Sequence, residues 1–410
     1  MTPAISRRSI CKFLAAGFAI ALTSSSFAQE WVATTADTNY QWQSISCSTN
    51  GEQMVAVAVD DGDGNGGTIS VSTNRGDAWW QPSSEVKELW QSVASSAKGK
   101  NLVAAVNQNL DGTPGNLYVS TNSGSTWKAI RSPTNFWYSV SSSADGTRLV
   151  AADSGMGDGQ IYYSSNSGAS WTDTTAPTND WAAVTMSSNG LILAAADSGF
   201  GDGLIYVSTN AGKAWTATTA PSYPWTCLTS SADGAVLAAA DTGLGDNLVW
   251  LSTNSGSAWN PTSAPTDQWA SLAASADGHQ LVAADSGSGD GLIYCSSNTG
   301  TTWTATGTVG LWTSVASSAD GSILAAASSP GGIYVLQQIP ALTLQRAGAN
   351  LAISWPSSSA AAGLALWQNF DLTSTNWSRV VAQPGLTNNF YELLVPPTAE
   401  SNCFYRLQEP

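Results

Sequence analysis

Aspartates recur in a glycine-rich loop at equivalent places in four successive segments of the chain. The loop pairs are Asp153 and Asp158, Asp197 and Asp202, Asp241 and Asp246, and Asp285 and Asp290. Such carboxylates can close Asx turns, ligate calcium through hard oxygen atoms, or cleave a glycosidic bond as a pair about 5–10 Å apart. Near-identical copies favour the turn interpretation, because catalysis needs one special pair. If the chain is a hydrolase, its candidate catalytic residues are Asp153, Asp158, Asp197 and Asp202.

Another acidic loop departs from this pattern and resembles the start of a calcium-binding loop. It reads Asp60-Asp61-Gly62-Asp63-Gly64-Asn65-Gly66, which approximates D-x-[DN]-x-[DN]-G. The closing glutamate is absent, since the twelfth position is Ser72. We therefore predict a candidate metal site at Asp61, Asp63 and Asn65 with calcium as its cation, and no cofactor that the protein requires.

Tryptophans open the predicted first strand of every repeat, and aromatic side chains stack on sugar faces. A carbohydrate platform is one interpretation. Burial between neighbouring sheets is the alternative, because large apolar side chains pack in the interior. Phe136 and Tyr223 lie in connecting segments and are better candidates for exposure. The candidate ligand-binding residues are Phe136, Trp137, Tyr138, Trp181, Tyr223, Trp225 and Trp269.

Residues that serve nucleophilic or transition-metal chemistry are scarce. The chain has one histidine, His279, in an Ala-Asp-Gly-His-Gln turn with no triad partner nearby. It lacks the Cys and His clusters that bind zinc, and its glycine-rich stretches do not open a helix as phosphate-binding loops do. Cys47, Cys227, Cys295 and Cys403 fall at unrelated positions in their repeats, so we predict buried free thiols.

A repeat of about 44 residues organises the chain around these side chains. The pattern S-x-N-x-G-x-x-W occurs six times, with its tryptophans 44 residues apart except for a first interval of 48: Trp79, Trp127, Trp171, Trp215, Trp259 and Trp303. Each repeat contains four short runs rich in Val, Ile, Tyr, Trp and Ala, bounded by turn residues, which indicates strands. Four strands in a unit of this length are typical of a β-propeller blade.

Seven tryptophans begin first strands, which predicts seven blades. The last blade lacks a fourth strand, but residues 31–37 match residues 215–221 and supply it from the other end of the chain. The N-terminal strand then closes the ring and leaves no open edge. The predicted fold is all-β, with a signal peptide at residues 1–28, a seven-bladed propeller at 29–337 and a small β-sandwich at 338–410.

The six boxes resemble the Asp-box (BNR) repeats of the sialidase-like superfamily, with Asn replacing the usual Asp in every copy. This resemblance covers about residues 31–337. It implies that each box turn joins the third and fourth strands, on the face opposite the ligand-binding face. It also implies that an active sialidase has three substrate-clamping arginines, a Tyr–Glu pair and an acid/base Asp.

The sialidase catalytic set does not carry over to this sequence. The propeller has three arginines, of which Arg75 lies in a box and Arg148 follows a first hairpin turn; its arginines and glutamates are Arg75, Arg131, Arg148, Glu52, Glu85 and Glu88. The C-terminal segment resembles the small β-sandwich module that is appended to many secreted bacterial proteins. The resemblance of the boxes to Asp-box repeats therefore implies the propeller fold without the sialidase activity.

The N-terminal segment is typical of an export signal. Arg7, Arg8 and Lys12 precede an apolar run, and residues 26–28 (Ser-Phe-Ala) offer a small-x-small cleavage site. The paired arginines also resemble a twin-arginine motif, with an ordinary secretory signal as the alternative. No later segment is long and apolar enough to span a membrane. We predict an exported monomer in the periplasm or outside the cell.

The formal net charge of −15 excludes nucleic acid and anionic membrane surfaces as main partners. We predict a non-catalytic scaffold that binds extracellular carbohydrate or protein through the loop face of the propeller. The alternative is a glycoside hydrolase that uses a pair of loop aspartates. A third function resembles that of the propeller assembly factors of photosynthetic membranes, which is disfavoured because those proteins need a basic patch.

Overall fold

The computed structural model is all-β in the residues that it describes. These are residues 9–14, 29–82, 87–130, 133–155, 158–199, 203–241, 246–287, 291–307, 309–338, 343–347, 350–356, 365–369, 378–381, 384–387, 390–395 and 402–408. Within these ranges the named elements are all strands, and none is a helix that could cross a membrane. Two compact units are formed, one by Ala33–Leu336 and the other by Met1–Val32 with Gln337–Pro410.

The larger unit contains seven consecutive antiparallel sheets in the described residues, which are its blades. The first strands of the blades are β3 Gln41–Cys47, β6 Leu89–Ser95, β10 Trp137–Ser142, β14 Trp181–Met186, β18 Trp225–Ser230, β22 Trp269–Ala274 and β26 Trp312–Ser317. The second strands are β4 Met54–Asp60, β7 Leu102–Gln108, β11 Leu149–Asp153, β15 Leu193–Asp197, β19 Leu237–Asp241, β23 Leu281–Asp285 and β27 Ile323–Ser328.

The outer strands of the blades are shorter. The third strands are β5 Ile69–Ser72, β8 Leu117–Ser120, β12 Ile161–Ser164, β16 Ile205–Ser208, β20 Val249–Ser252, β24 Ile293–Ser296 and β28 Ile333–Gln338. The fourth strands of blades 2 to 6 are β9 Lys128–Ala129, β13 Thr172–Asp173, β17 Thr216–Ala217, β21 Asn260–Pro261 and β25 Thr304–Thr306. In blade 1, a bridge between Val71 and Trp80 takes the place of the fourth strand.

The N-terminal strand completes the last blade. Strand β2 (Gln29–Ala33) is the outer strand of a sheet with the order β2-β28-β27-β26. Just after it, the amide of Thr34 donates a 2.9 Å hydrogen bond to the carbonyl oxygen of Ile333. The predicted seven-bladed propeller, closed by its N-terminal strand, is confirmed.

A ring of backbone hydrogen bonds joins the blades around the propeller axis. After each first strand, an amide donates to the carbonyl oxygen of the equivalent residue in the next blade over 2.7–2.8 Å. In order, the ring contains Thr49, Ala97, Ala144, Ser188, Ala232, Ala276 and Ala319, and the amide of Ala319 returns to the carbonyl of Thr49. Because the ring closes on itself, every blade is held by both of its neighbours.

Small and branched apolar residues make the second strands fit between neighbouring blades. In β15 and β19, for example, all five residues are buried. The hydrophobic clusters of the propeller combine residues of two consecutive blades, as where Val57 of blade 1 packs in one cluster with Trp90 of blade 2. Since both faces of each sheet are covered, these strands are apolar at consecutive positions and do not alternate.

The box turns are held by their own serine and asparagine side chains. In the fourth box, the Ser208 hydroxyl accepts a 2.9 Å bond from the amide of Gly212, and the Asn210 side-chain oxygen accepts a 2.8 Å bond from the amide of Ala214. Ala211 and Gly212 have φ of 59° and 78°, so glycine suits the second position. The residue types of the pattern therefore follow from turn geometry.

The second unit is a small β-sandwich. One sheet has the order β1-β35-β31-β32 and the other β29-β30-β34-β33. Their strands are β1 Ser9–Leu14, β29 Thr343–Ala347, β30 Asn350–Pro356, β31 Ala365–Asn369, β32 Ser378–Arg379, β33 Gly385–Thr387, β34 Phe390–Val395 and β35 Asn402–Gln408. The core contains Ile353, Trp355, Leu366, Leu393 and Tyr405. Strand β1 comes from within the predicted signal peptide; the predicted cleavage site lies outside the described residues.

Candidate functional site

The acidic loops and the exposed candidate side chains lie at the same end of the blades. We call it the loop face; it contains the loops between second and third strands and the connectors that lead into each first strand. In blade 3 the pairing of Trp137 with Asp153 brings the connector beside that loop. The box turns and the first hairpin turns lie at the opposite end of the strands.

The strand-opening tryptophans are core residues. Trp137, Trp181, Trp225 and Trp269 have no solvent-exposed surface. Trp181 packs edge-on against Tyr206 of its own blade at 5.6 Å between ring centroids, and Trp269 packs in the same way on Tyr294. Their placement matches the inter-blade packing alternative, and their rings are not presented to a ligand. We leave these four tryptophans out of the candidate site.

Two candidate aromatic side chains in blade 3 are exposed. Phe136 is 38% and Tyr138 is 41% exposed, on either side of the buried Trp137. Phe136 precedes β10, and Tyr138 stands where the register between β10 and β11 shifts, between Trp137 and Ser139. Both exposed rings therefore lie at the loop-face end of blade 3. The amide of Ser154 donates a 3.1 Å hydrogen bond to the Phe136 carbonyl, which fixes the connector to the neighbouring loop.

Asp153 and Asp158 lie in that same loop. Both carboxylates come within 4 Å of the position that a Cβ on Gly155 would occupy, with Asp158 Oδ1 at 3.0 Å and Asp153 Oδ2 at 3.8 Å. Burial raises the pKa of Asp153, a bond from the Gly155 amide opposes this, and the nearby Asp158 charge adds to the rise. We call Phe136, Tyr138, Asp153 and Asp158 the blade-3 loop site.

Equivalent loop aspartates are used to close their own turns. The Asp153 carboxylate accepts a bond from the Gly155 amide at 3.2 Å, and Asp197 accepts one from Gly199 at 2.9 Å. Asp241 and Asp285 have no exposed surface, and Asp285 accepts bonds from two amides of its loop. These bonds are the ones expected if the loop aspartates close Asx turns. Asp202 and Asp290 lie outside the described residues.

Tyr223 belongs to a separate, half-buried cluster in blade 5. Its ring packs on Trp225 at 5.6 Å and on Trp250 at 6.3 Å between centroids. The Trp250 indole N–H donates to the Asp246 carboxylate at 3.2 Å. Burial raises the pKa of the Tyr223 hydroxyl, and the hydrogen bond with Asp246 adds to that effect. The structure therefore does not bring Tyr223 together with Phe136 and Tyr138.

A lysine from the connector that leads into β6 lies beside the acidic loop of blade 1, which the sequence pattern did not reveal. Asp60, Asp61 and Asp63 offer carboxylate oxygens that lie within 4.8 Å of one another. The Lys87 ammonium group lies 2.9 Å from Asp61 and 2.5 Å from Asp63. The hydrogen bond from Lys87 and one from the Asn65 amide hold the pKa of Asp63 at about 2. Lys87 thus supplies positive charge where the predicted calcium ion would bind.

Asn65 is hydrogen-bonded within the acidic loop. The Asn65 amide nitrogen donates to the Asp63 carboxylate at 2.8 Å, and its side-chain nitrogen donates to the Asp63 carbonyl at 3.3 Å. Asp60 instead accepts bonds from the amides of Gly62 and Gly64. The loop is therefore a series of Asx turns. Its charged groups are three carboxylates, and the Lys87 ammonium group lies beside them.

The described arginines of the propeller lie at the end opposite the loop face. The Arg148 guanidinium donates a 2.8 Å bond to the carbonyl of Asn189, in the first hairpin turn of the next blade. Arg75 lies in a box, and its amide donates to the Glu52 carbonyl at 2.9 Å. His279 contacts Thr299 through Nδ1 at 3.2 Å. Arg131 and Glu85 lie outside the described residues.

Similarity to solved structures supports the propeller fold. The chain resembles the crystal structure of the GH74 xyloglucanase from Xanthomonas campestris, with a TM-score of 0.58, 12% sequence identity and coverage of 80% of this chain. It spans 60% of that enzyme's chain. It also resembles the structure of YCF48 bound to D1 peptide, with a TM-score of 0.56, 14% identity and coverage of 76% of this chain and 97% of that one. At these identities the similarity establishes the fold alone.

No protein-family model matches the sequence, and no curated protein sequence matches it either. The fold thus defines a β-propeller, and two of its solved neighbours are a glycoside hydrolase and a protein solved with a bound peptide.

Proposed function

We propose that this chain is an exported, non-catalytic carbohydrate-binding protein that uses the blade-3 loop site. The observation that carries the proposal is the exposure of Phe136 and Tyr138 on either side of a fully buried tryptophan. Exposed aromatic rings can stack on the apolar face of a sugar. The Asp158 carboxylate of the same loop site can accept hydrogen bonds from sugar hydroxyl groups.

The state of the loop aspartates supports binding without catalysis. Asp153, Asp197, Asp241 and Asp285 are each at least nine-tenths buried, and amides of their own loops use their oxygen atoms. A carboxylate committed to a turn cannot move freely to a substrate. The bond from the amide two residues on recurs at Asp153, Asp197 and Asp285, and Asp241 accepts from the Asn247 amide. This supports a structural role for the four carboxylates.

A second candidate function, glycoside hydrolysis, is favoured by one feature of blade 3. Asp153 and Asp158 share one loop, and burial raises the pKa of Asp153. A protonated carboxyl group close to an ionised one is the arrangement of glycosidases. In this alternative Asp153 is the general acid and Asp158 the nucleophile or base, whereas Asp197 and Asp202 belong to another blade.

A protein ligand is the other outcome of the binding test. YCF48 was solved with a peptide, which makes an extended protein segment a reasonable alternative occupant of a propeller surface. The strongly acidic composition of this chain would select a basic or neutral segment.

The repeats and the C-terminal unit belong to the same proposal. We assign the six boxes to the Asp-box type because their Ser, Asn and Gly residues make the same turn bonds in each copy. We assign residues 338–410 to an appended module of an exported protein, and residues 1–28 to its export signal.

A glycan array tests the proposal, with the chain applied in calcium and again in chelator. The expected result is binding that is lost in a Phe136→Ala, Tyr138→Ala double variant. The matched control is Leu191→Ala, since Leu191 is 41% exposed in a first hairpin turn at the other end of its blade. Loss of binding in both variants, or in neither, would contradict the assignment to the blade-3 loop site.

Bound glycans then serve as substrates in an assay for newly released reducing ends. We expect no release above buffer. Release that disappears in both Asp153→Asn and Asp158→Asn would replace binding by hydrolysis. An array without any binding would reject the carbohydrate proposal and direct the search to basic or neutral peptides.

A further inference from the structure

A cavity of about 220 Å³ lies on the propeller axis at the end opposite the loop face. We call it the axial funnel, and all seven blades line it with the last residue of their first strands. Four of these residues are serines, namely Ser95, Ser142, Ser230 and Ser317, and the other three are Cys47, Met186 and Ala274. Polar and apolar side chains thus mix around the wall.

The four serines that end first strands donate their hydroxyl hydrogens to backbone carbonyl groups. Ser95 donates to the Ser96 carbonyl at 3.0 Å, and Ser142 donates to the Ser143 carbonyl at 3.1 Å. Ser230 and Ser317 do the same at 2.8 and 2.9 Å. A hydroxyl group that donates its hydrogen keeps two lone pairs. At these four positions the wall therefore offers hydrogen-bond acceptors to a ligand that brings the donors.

The funnel contains no charged side chain among its lining residues, although the chain as a whole has a net charge of −15. An ionic ligand would lose its hydration there. The Asp233 and Asp277 carboxylates at this end accept bonds from the lining serines Ser231 and Ser275 and do not line the funnel themselves. At about 30 Å³ per water molecule, the volume corresponds to about seven waters. The funnel therefore has the size and polarity for one small neutral molecule.

The wall is rigid because the ring of hydrogen bonds passes through it. Ala97, Ala144 and Ala232 line the funnel and also belong to the ring that links the blades. The ring commits the amide of each member to the neighbouring blade. A ligand consequently meets a wall whose positions are set before binding, which lowers the entropy lost on association.

We propose that the axial funnel binds a small neutral polyol, such as a single sugar ring or a cyclitol. Its hydroxyl groups donate to the serine oxygens, and its C–H groups contact Met186, Ala274 and Cys47. This site is separate from the blade-3 loop site and does not depend on the function proposed for it.

Saturation-transfer NMR on the full chain with myo-inositol and with glucose tests this site. We expect signal transfer from the protein to at least one of the two. An Ala232→Trp variant fills the mouth of the funnel and abolishes the transfer. Replacing Ser142 and Ser230 by Ala removes two acceptors and weakens binding by about tenfold or more, at roughly 1 kcal/mol for each hydrogen bond.

Two controls make the result specific. Ser257→Ala removes the hydroxyl group of an exposed serine in a box turn, and it leaves binding unchanged. All of these measurements are made in the Phe136→Ala, Tyr138→Ala background, so that transfer through the blade-3 loop site does not contribute. Absence of transfer to both probes overturns the proposal. So does transfer that persists in a folded Ala232→Trp variant, because the polyol would then bind elsewhere.

Discussion

The amide of Ala319 in the last blade donates a 2.8 Å hydrogen bond to the carbonyl oxygen of Thr49 in the first blade. This contact is the seventh of its kind, and it joins segments from the two ends of the propeller. A closed ring of equal bonds means that no blade is terminal. Loss of one closing element should therefore weaken the whole ring together, as each blade depends on two neighbours.

Trp31 provides a test of closure by the N-terminal strand. It lies in β2 and is 8% exposed. We expect Trp31→Ala to destabilise the protein by about 3–5 kcal/mol, the usual range for a buried tryptophan, measured by denaturant unfolding. A loss of less than about 1 kcal/mol would show that β2 contributes little to the last blade.

Ser208 tests the structural role of the box turns. Its buried hydroxyl accepts from Gly212 and donates to the Asn210 side chain at 3.0 Å. We expect Ser208→Ala to cost about 1–3 kcal/mol, because the amide of Gly212 is left without a partner. The neighbouring Thr209 is exposed, and Thr209→Ala should change the free energy of unfolding by less than about 0.5 kcal/mol. Equal effects in thermal unfolding would contradict the assignment.

Asp145 tests the acid sensitivity of the first hairpin turns. Bonds from the Ser143 hydroxyl and from the amide and hydroxyl of Thr147 lower its pKa to about 2. A lowered pKa stabilises the fold above the unfolded value near 4, and this contribution is lost as the pH falls towards 2. Asp145→Asn should therefore lower Tm at pH 7, by an amount worth about 1 kcal/mol or less, and the difference should vanish near pH 2.

Asn189 gives the matched control for this pH effect. It occupies the equivalent position in blade 4, where its side-chain oxygen accepts from Ser187 and from the Leu191 amide. Asn189→Asp should therefore raise Tm at pH 7, the opposite of the change expected for Asp145→Asn, and this gain should be lost as the pH falls towards 2. Parallel Tm–pH curves for wild type and both variants would show that charge at this position is irrelevant.

Lys87 decides whether the acidic loop of blade 1 binds calcium. Its ammonium group pairs with Asp61 and Asp63, so we expect calcium to leave the Tm of the wild type unchanged. In Lys87→Met the carboxylates lose their counter-ion. Calcium at ten times its Kd should then stabilise by about 1.4 kcal/mol. The exposed Lys98 supplies a control, Lys98→Met, without this response.

Calcium stabilisation of the wild type that chelator reverses would show that the ion binds beside Lys87. That result would support the predicted metal site at Asp61, Asp63 and Asn65.

Local patterns were sufficient to predict the blades. The repeated boxes predict hairpin turns because Ser, Asn and Gly have specific turn geometry, and the tryptophans mark first strands. The match between residues 31–37 and 215–221 predicts the closing strand. Each of these features depends on bonds between residues that are close along the chain or repeated with a fixed period, and such information is present in one sequence.

Exposure of individual aromatic residues was predicted only in part: of the two candidates for exposure, Phe136 is exposed and Tyr223 is half-buried. Phe136, Trp137 and Tyr138 are consecutive, yet only the central ring is buried. Trp137 opens the strand and pairs with Asp153, whereas Phe136 precedes the strand and Tyr138 stands at the register shift between Trp137 and Ser139. Tyr223 and Trp225 have the same spacing as Phe136 and Tyr138, but Tyr223 packs into a half-buried cluster and Trp225 is fully buried.

The sequence alone determined the all-β class, the seven blades, the closure of the ring and the turn chemistry of the boxes, because those follow from local bonding and periodicity. Only the tertiary structure placed Lys87 between Asp61 and Asp63, exposed Phe136 and Tyr138, and assembled the axial funnel from seven separate strands. Each of these requires residues that are far apart in the chain, or the depth of a side chain in the ring. No spacing along the sequence encodes such distances directly.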